Sequence, residues 1–268
     1  MPRSFDVDGL HAWEWPGDPP GALLMHGIGN YGRYWDFFAD AIAGRLRLVA
    51  PDARGHGDSV KPDDGYAPAD FVADALRVMD VSALQRPIVV GHSMGGFHAT
   101  ALTLARPDRV RALVLVDVGP RIEAAGDSRA RRLSLGRPDR FDDEAAALAY
   151  LRETSPGYSD AVYANRIAWV FRRDERGGLV WRSSKHALAK ILETTTGDDT
   201  WSRLAEIACP VLIVRGTRSP SLSDATAQRM RATLRDAVLV ELDAGHNVAL
   251  DRPVELADAV LRFAREGD

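Results

Sequence analysis

The sequence predicts an α/β domain on a mostly parallel sheet, and three observations carry that prediction. Short apolar runs alternate with segments of helical spacing toward both ends of the chain. Loops rich in Gly, Asp and His follow those runs, at His26, Asp52, Ser93 and Asp117. In parallel sheets such loops leave the carboxyl ends of the strands, where ligands bind. Residues 120–200 break the alternation with Ala- and Arg-rich sequence of helical character. The predicted organisation is a core of residues 1–119 and 201–268 with a helical cap, residues 120–200, inserted after the sixth strand.

Residues 3–15 alternate around Asp8-Gly9, a hairpin signal. Ala22–Met25 reads as a strand that ends in His26-Gly27-Ile28-Gly29-Asn30, and 32–43 as a helix. A strand over 45–50 leads into the loop Pro51–Ser59. The spacing of Phe71, Val72, Ala75, Leu76 and Met79 predicts a helix over 68–84. Strands follow at 88–90 and 110–116. Within the insertion, helices are expected at 142–153, 159–173 and 184–194, with Gly177-Gly178 as a breaker. Beyond it come a strand at 210–215, a helix at 223–234, a strand at 238–242 and a closing helix at 253–265.

Composition narrows the function classes. The 268 residues carry a net charge of −4, which argues against general nucleic-acid binding. Only Lys61, Lys185 and Lys190 are lysines, so the positive charge is almost all arginine. Cys209 is the single cysteine, which excludes an internal disulfide; beside Pro210 at the start of a strand it reads as buried and inert. The first residues, MPRSFDVDGL, contain no apolar leader core, and no apolar run is long enough to span a bilayer. A cytoplasmic protein without a membrane partner is expected. Scattered histidines without an H-E-x-x-H pattern point to no metal.

The chemistry concentrates at 87–104. Ile88-Val89-Val90 runs into Gly91-His92-Ser93-Met94-Gly95, followed by an Ala-rich helical segment that stops at Pro107. Strand, Gly-x-Ser-x-Gly and helix in that order describe a nucleophile elbow. The serine must sit on a turn so tight that small residues are needed close by, which Gly91 and Gly95 supply, and its hydroxyl then stands at a helix N-terminus. The same residues could form an ordinary strand-to-helix turn with a capping serine; the flanking elements favour the nucleophile.

These landmarks resemble the α/β-hydrolase fold family over almost the whole chain. They are His26-Gly27 before a helix, Arg54-Gly55-His56-Gly57-Asp58-Ser59, the Gly91–Gly96 elbow, Leu113–Asp117, and Gly245-His246. The resemblance implies a cofactor-independent serine hydrolase with an acyl-enzyme intermediate and a small-molecule substrate. Ser93 is the nucleophile and His246, after the last strand, its base. The backbone N–H groups of Ile28 and Met94 would form the oxyanion hole. His26 and His56 resemble structural loop residues of the fold.

The acid is the least determined position. Relatives often carry an Asp after the serine of the 216–224 loop, but here that position is Pro220. Asp117, at the end of the sixth strand, is the favoured acid. Asp224 is the alternative, although it follows Ser223, a good N-cap, and has a helix-dipole explanation.

Tyr34, Trp35, Val118, Tyr158, Trp169 and Val248 are candidate substrate contacts, with cap core the competing reading for Trp169. Cap arginines, Arg121, Arg129, Arg131, Arg132 and Arg166 among them, offer carboxylate contacts or simply a charged surface. The expected substrate is a small to medium carboxylic ester or lactone. The alternatives are an amide or C–C bond in an anionic catabolic substrate, or non-hydrolytic ligand binding on the same fold.

Overall fold

The computed structural model describes residues 2–121, 123–195 and 200–266. Its strands are β1 (Arg3–Val7), β2 (Leu10–Trp15), β3 (Ala22–Met25), β4 (Leu48–Pro51), β5 (Ile88–His92), β6 (Ala112–Val116), β7 (Arg140–Phe141), β8 (Phe171–Arg173), β9 (Leu179–Trp181), β10 (Val211–Gly216) and β11 (Ala237–Leu242). The main sheet has the order β1-β2-β4-β3-β5-β6-β10-β11. Only β2 runs against its neighbours. The alternation of one buried strand explains the layering. Leu113 and Leu115 of β6 enter one apolar core while Val114 and Val116 enter the other. Both faces of the sheet are therefore covered, as an apolar parallel strand requires.

The α-helices are α1 (Asp36–Ile42), α2 (Pro68–Val81), α3 (Met94–Ala105), α4 (Ala124–Leu135), α5 (Glu144–Thr154), α6 (Asp160–Val170), α7 (Lys185–Thr195), α8 (Asp224–Thr233), α9 (Val248–Asp251) and α10 (Pro253–Glu266). The helix expected over 32–43 divides into a 3-10 turn at Gly32–Trp35 and α1. The strand expected from Arg45 begins only at Leu48, because the Arg45 Nε donates to the Ile42 carbonyl and caps α1 instead.

The insertion differs more. Helix α4 was not foreseen, and the helix expected to reach Arg173 ends at Val170. Residues 171–173 instead pair with β9 in a small antiparallel sheet of order β7-β9-β8. Gly177-Gly178 makes the turn between them: Gly177 has φ +78°, and Asp174 accepts the Arg176 and Gly178 amides. Packing outweighs helical spacing here. Phe171 and Trp181 lie 4.5 Å apart between ring centroids, and Phe141 closes on both. Residues 196–199 of the expected cap lie outside the described residues.

Candidate active site

Ser93 lies between β5 and α3 with φ 53° and ψ −121°. That conformation costs a residue with a side chain about 1–3 kcal/mol and persists only where its surroundings enforce it. The close approaches are visible at two glycines. A Cβ on Gly91 would sit 2.5 Å from the Gly95 carbonyl oxygen, and one on Gly95 would sit 2.1 Å from that of Met25. The Gly-x-Ser-x-Gly spacing thus lets the helix start against two strands while Ser93 turns outward.

His246 Nε2 lies 3.0 Å from the Ser93 Oγ, and His246 Nδ1 lies 2.7 Å from the Asp117 Oδ2. Asp117 is fully buried and takes φ 51° at the end of β6. Its Oδ1 accepts the Gly216 amide at 3.0 Å, and its Oδ2 also accepts the Ser219 hydroxyl. Three donors thus converge on one carboxylate. They leave His246 Nδ1 as a donor and Nε2 as the acceptor facing Ser93. Asp224 lies elsewhere: it is exposed in the first turn of α8 and accepts from Gln228. The structure brings Asp117, not Asp224, to His246.

His92 supports this arrangement from below. Its Nε2–H donates to the His246 carbonyl at 2.8 Å. Burial, reinforced by the neighbouring His246, lowers the His92 pKa well below the usual histidine range, so it stays neutral.

Ile28 and Met94, whose amides are expected at the oxyanion hole, line one cavity with Ser93 and His246. Among the described residues, neither the Ile28 nor the Met94 N–H has a protein acceptor. The orientation of Ile28 has a local cause. The Gly27 carbonyl accepts from His26 Nδ1 at 2.8 Å and from the Asn30 amide at 3.1 Å. A trans peptide then points the Ile28 N–H the opposite way. His26 is itself fixed by the Ala53 amide, and His56 accepts the Gly29 amide at 2.9 Å. Burial lowers the pKa of both histidines, which keeps each ring as one donor and one acceptor. The two histidines read from sequence as loop residues thus hold the loop that aims this amide.

The cavity has a volume of about 140 Å³, and the insertion supplies much of its wall. Of the six predicted substrate contacts, Val118 lines it. Tyr34, Trp35 and Val248 do not, because all three are fully buried in the main core. Tyr158 stands one residue behind the wall, accepting from the Asn247 amide at 3.0 Å. Trp169 packs on Trp13 of β2, with ring centroids 4.9 Å apart, and so belongs to the seam between insertion and core. Tyr150, Trp181 and Arg137 line the cavity and were not distinguishable in the sequence, since no local pattern separates them from other aromatic and basic residues of the insertion. Cys209 is half-buried, and burial raises its pKa to about 11. Among the described residues no group of three or more metal-ligating side chains is assembled, and no helix is long and apolar enough to cross a membrane.

Comparison with known proteins matches the chain to a family. The model of the alpha/beta hydrolase family covers residues 22–259. The chain belongs to that family. This family member is 32% identical over 254 residues to a 2-(acetamidomethylene)succinate hydrolase of Mesorhizobium japonicum, spanning 92% of this chain and 88% of that one. It is 28% identical over 268 residues to a 3-hydroxybutyrate-oligomer hydrolase of Cupriavidus necator, spanning 93% and 90%. A solved structure of an E-2-(acetamidomethylene)succinate hydrolase superposes with a TM-score of 0.88 at 29% identity, covering 99% of both chains. These relatives are hydrolases, which supports a hydrolase here.

Proposed function

We propose that this protein is a serine hydrolase that cleaves a small carboxylic acid derivative, an ester or lactone in the first reading, through an acyl-enzyme. The observation that carries the reading is the unbroken chain from Asp117 through His246 to Ser93, which ends in a cavity beside two unspent backbone amides.

Each step follows from the atoms in place. His246 Nε2 takes the Ser93 proton as Oγ attacks the substrate carbonyl carbon. The Ile28 and Met94 amides receive the negative charge that develops on the carbonyl oxygen. Such fixed donors cost no reorganisation at the moment of reaction, and removing one typically costs about 3–4 kcal/mol. The imidazolium, held by Asp117, returns the proton to the departing group. Water then repeats the sequence on the acyl-enzyme, with His246 again the base, and frees the acid and Ser93.

A second reading, an amide substrate, gains weight from similarity to the protein named for hydrolysis of 2-(acetamidomethylene)succinate. The same atoms serve both bonds, because His246 can protonate an amine as it leaves. Non-hydrolytic binding would leave the strain at Ser93 and its alignment with His246 without a use.

The test is hydrolysis of p-nitrophenyl acetate and butyrate by the wild type beside Ser93→Ala. Turnover that disappears in the variant, with an acyl group trapped on Ser93 in the wild type, supports the reading. Turnover retained by a folded Ser93→Ala protein would overturn it.

A further inference from the structure

The cavity that Ser93 lines is also lined by three arginines, and none has a carboxylate partner among the described residues. Arg137, two residues past the end of α4, is 4% exposed. Its two terminal nitrogens donate to Ser183, at 2.9 Å to the hydroxyl and 2.8 Å to the carbonyl, and its guanidinium lies 4.2 Å from the Trp181 ring. Its Nε is buried with no acceptor. Arg166 of α6 makes no hydrogen bond or ion pair, and its Nη1 is also buried without an acceptor. Arg129 of α4 makes one long contact, 3.5 Å to the Thr154 carbonyl.

Other arginines of the insertion have carboxylate partners, and those without one, such as Arg132 and Arg172, are exposed to water. Arg131 pairs with Asp127, Arg140 with Asp174, and Arg182 with Asp58. The three cavity arginines also act on common ground. Burial raises the pKa of Tyr150 and of Tyr158. Against that, Arg137 and Arg166 pull the Tyr150 phenol down, while Arg166 and Arg129 do so at Tyr158. The carboxylate among the lining residues is Asp117, and its oxygens are already taken by His246, Ser219 and Gly216.

Partly buried cations without counter-ions are costly unless something else neutralises them. We infer that Arg129, Arg137 and Arg166 form an anion subsite, and that the natural substrate carries at least one free carboxylate in addition to the carbonyl attacked by Ser93. A guanidinium matches the flat, two-oxygen face of a carboxylate better than it matches a neutral oxygen. The subsite makes the substrate class a half-ester or half-amide of a small dicarboxylic acid, or an ester or amide whose leaving group bears the carboxylate. This assignment of substrate rests on the hydrolase reading above, but the subsite itself does not.

The experiment therefore separates the two. Succinate, glutarate, inorganic phosphate and neutral succinamide are titrated calorimetrically into folded Ser93→Ala protein, which cannot turn over. Arg129→Gln and Arg166→Gln are then introduced singly and together. Arg132→Gln, an exposed arginine on the same helix outside the cavity, is the control for net charge. The expected result is binding of a dicarboxylate but not of succinamide. Each cavity variant should weaken that binding at least about tenfold, as loss of a charge-assisted pair does, with the Arg132 variant unchanged. Absence of dicarboxylate binding, binding equal in the double variant, or preference for phosphate over both dicarboxylates would overturn the carboxylate subsite. Dicarboxylate binding alongside ester turnover retained by Ser93→Ala would keep the subsite and overturn the serine mechanism instead.

Discussion

The core and the insertion meet at one cavity and bring different things to it. The core supplies Ser93, His246, Asp117 and two backbone amides, each held by the end of a strand or the start of a helix. The insertion supplies aromatic surface and three cations, Arg129 on α4, Arg137 just beyond it and Arg166 on α6. On the core side every buried polar atom of the Asp117 carboxylate has a donor. On the insertion side, nitrogens of Arg137 and Arg166 are buried with none. The reacting side chains must be held still, so Asp117, His246 and Ser93 are already hydrogen-bonded to one another in the free protein, while the two backbone amides stay open for the oxyanion. Groups that read a substrate can keep their bonds open for it. On the proposed function, bond breaking belongs to the sheet and choice of substrate to the insertion.

The sharpest way to break that division is to exchange the two carboxylates proposed as the acid. Asp117→Asn should lower kcat about 10⁴-fold, because an amide in place of the carboxylate favours the wrong imidazole tautomer and withdraws the charge that stabilises imidazolium. Asp224→Asn, on the exposed start of α8, should leave kcat within about twofold, with a small loss of stability from the helix dipole. Ester kinetics on the two variants check both. A large loss in Asp224→Asn alone would remove the core-side geometry from the mechanism.

The core was legible in the sequence because its motifs are consequences of backbone crowding. Gly91 and Gly95 stand where a Cβ would strike a carbonyl, so the elbow is written in residue types. Asp117 was harder: nothing local shows that Gly216 and Ser219, a hundred residues on, would turn their donors toward it. The insertion was legible only as helical. Strand β8 formed where helical spacing predicts a helix, and β9 where no element was expected, because Phe141, Phe171 and Trp181 find one another across long separations. Arg129 and Arg131 lie two apart on α4, yet one lines the cavity and the other pairs with Asp127. Which arginine is left unpaired is a tertiary fact, invisible in a list of charges. Tyr34 and Trp35 show the opposite case, where aromatic residues near a motif proved to be core.

A second contrast lies in how the two regions answer to pH. Four core histidines, His26, His56, His92 and His98, are fully buried, and burial lowers the pKa of each, that of His98 to about 3. Their folded forms are neutral, whereas in the unfolded chain each binds a proton near pH 6.5. Below that value the unfolded state holds more protons, so stability falls as pH falls. The slope is about 1.4 kcal/mol per pH unit for each histidine, until its folded pKa is reached. The described insertion contains one histidine, His186, which is exposed. Thermal unfolding followed between pH 7.5 and 5 should show a steep decline, moderated in His98→Phe, whose ring would keep the stack on Phe71 seen at 3.8 Å. An unchanged slope in that variant would mean that His98 is protonated in the fold.

The smallest expected effect concerns the seam that joins the regions. Arg33 lies 5.0 Å from the Trp13 ring of the core and 4.5 Å from the Trp169 ring of α6, and its Nε donates to Asp36 at 2.6 Å. Asn165 of α6 adds hydrogen bonds to Tyr31 and to Asp36. A guanidinium between two indoles contributes about 0.5–2 kcal/mol, depending on how far water is excluded. Arg33→Ala should therefore lower Tm by about 2–4 °C. If the insertion presents the subsite, loosening this seam should affect substrate capture before chemistry. KM for a carboxylate-bearing ester should rise several-fold while kcat stays within about twofold, because nothing that touches Ser93 has moved. A fall in kcat with constant KM would reverse the division of labour, showing that the seam holds the reacting groups in register rather than the wall that reads the substrate.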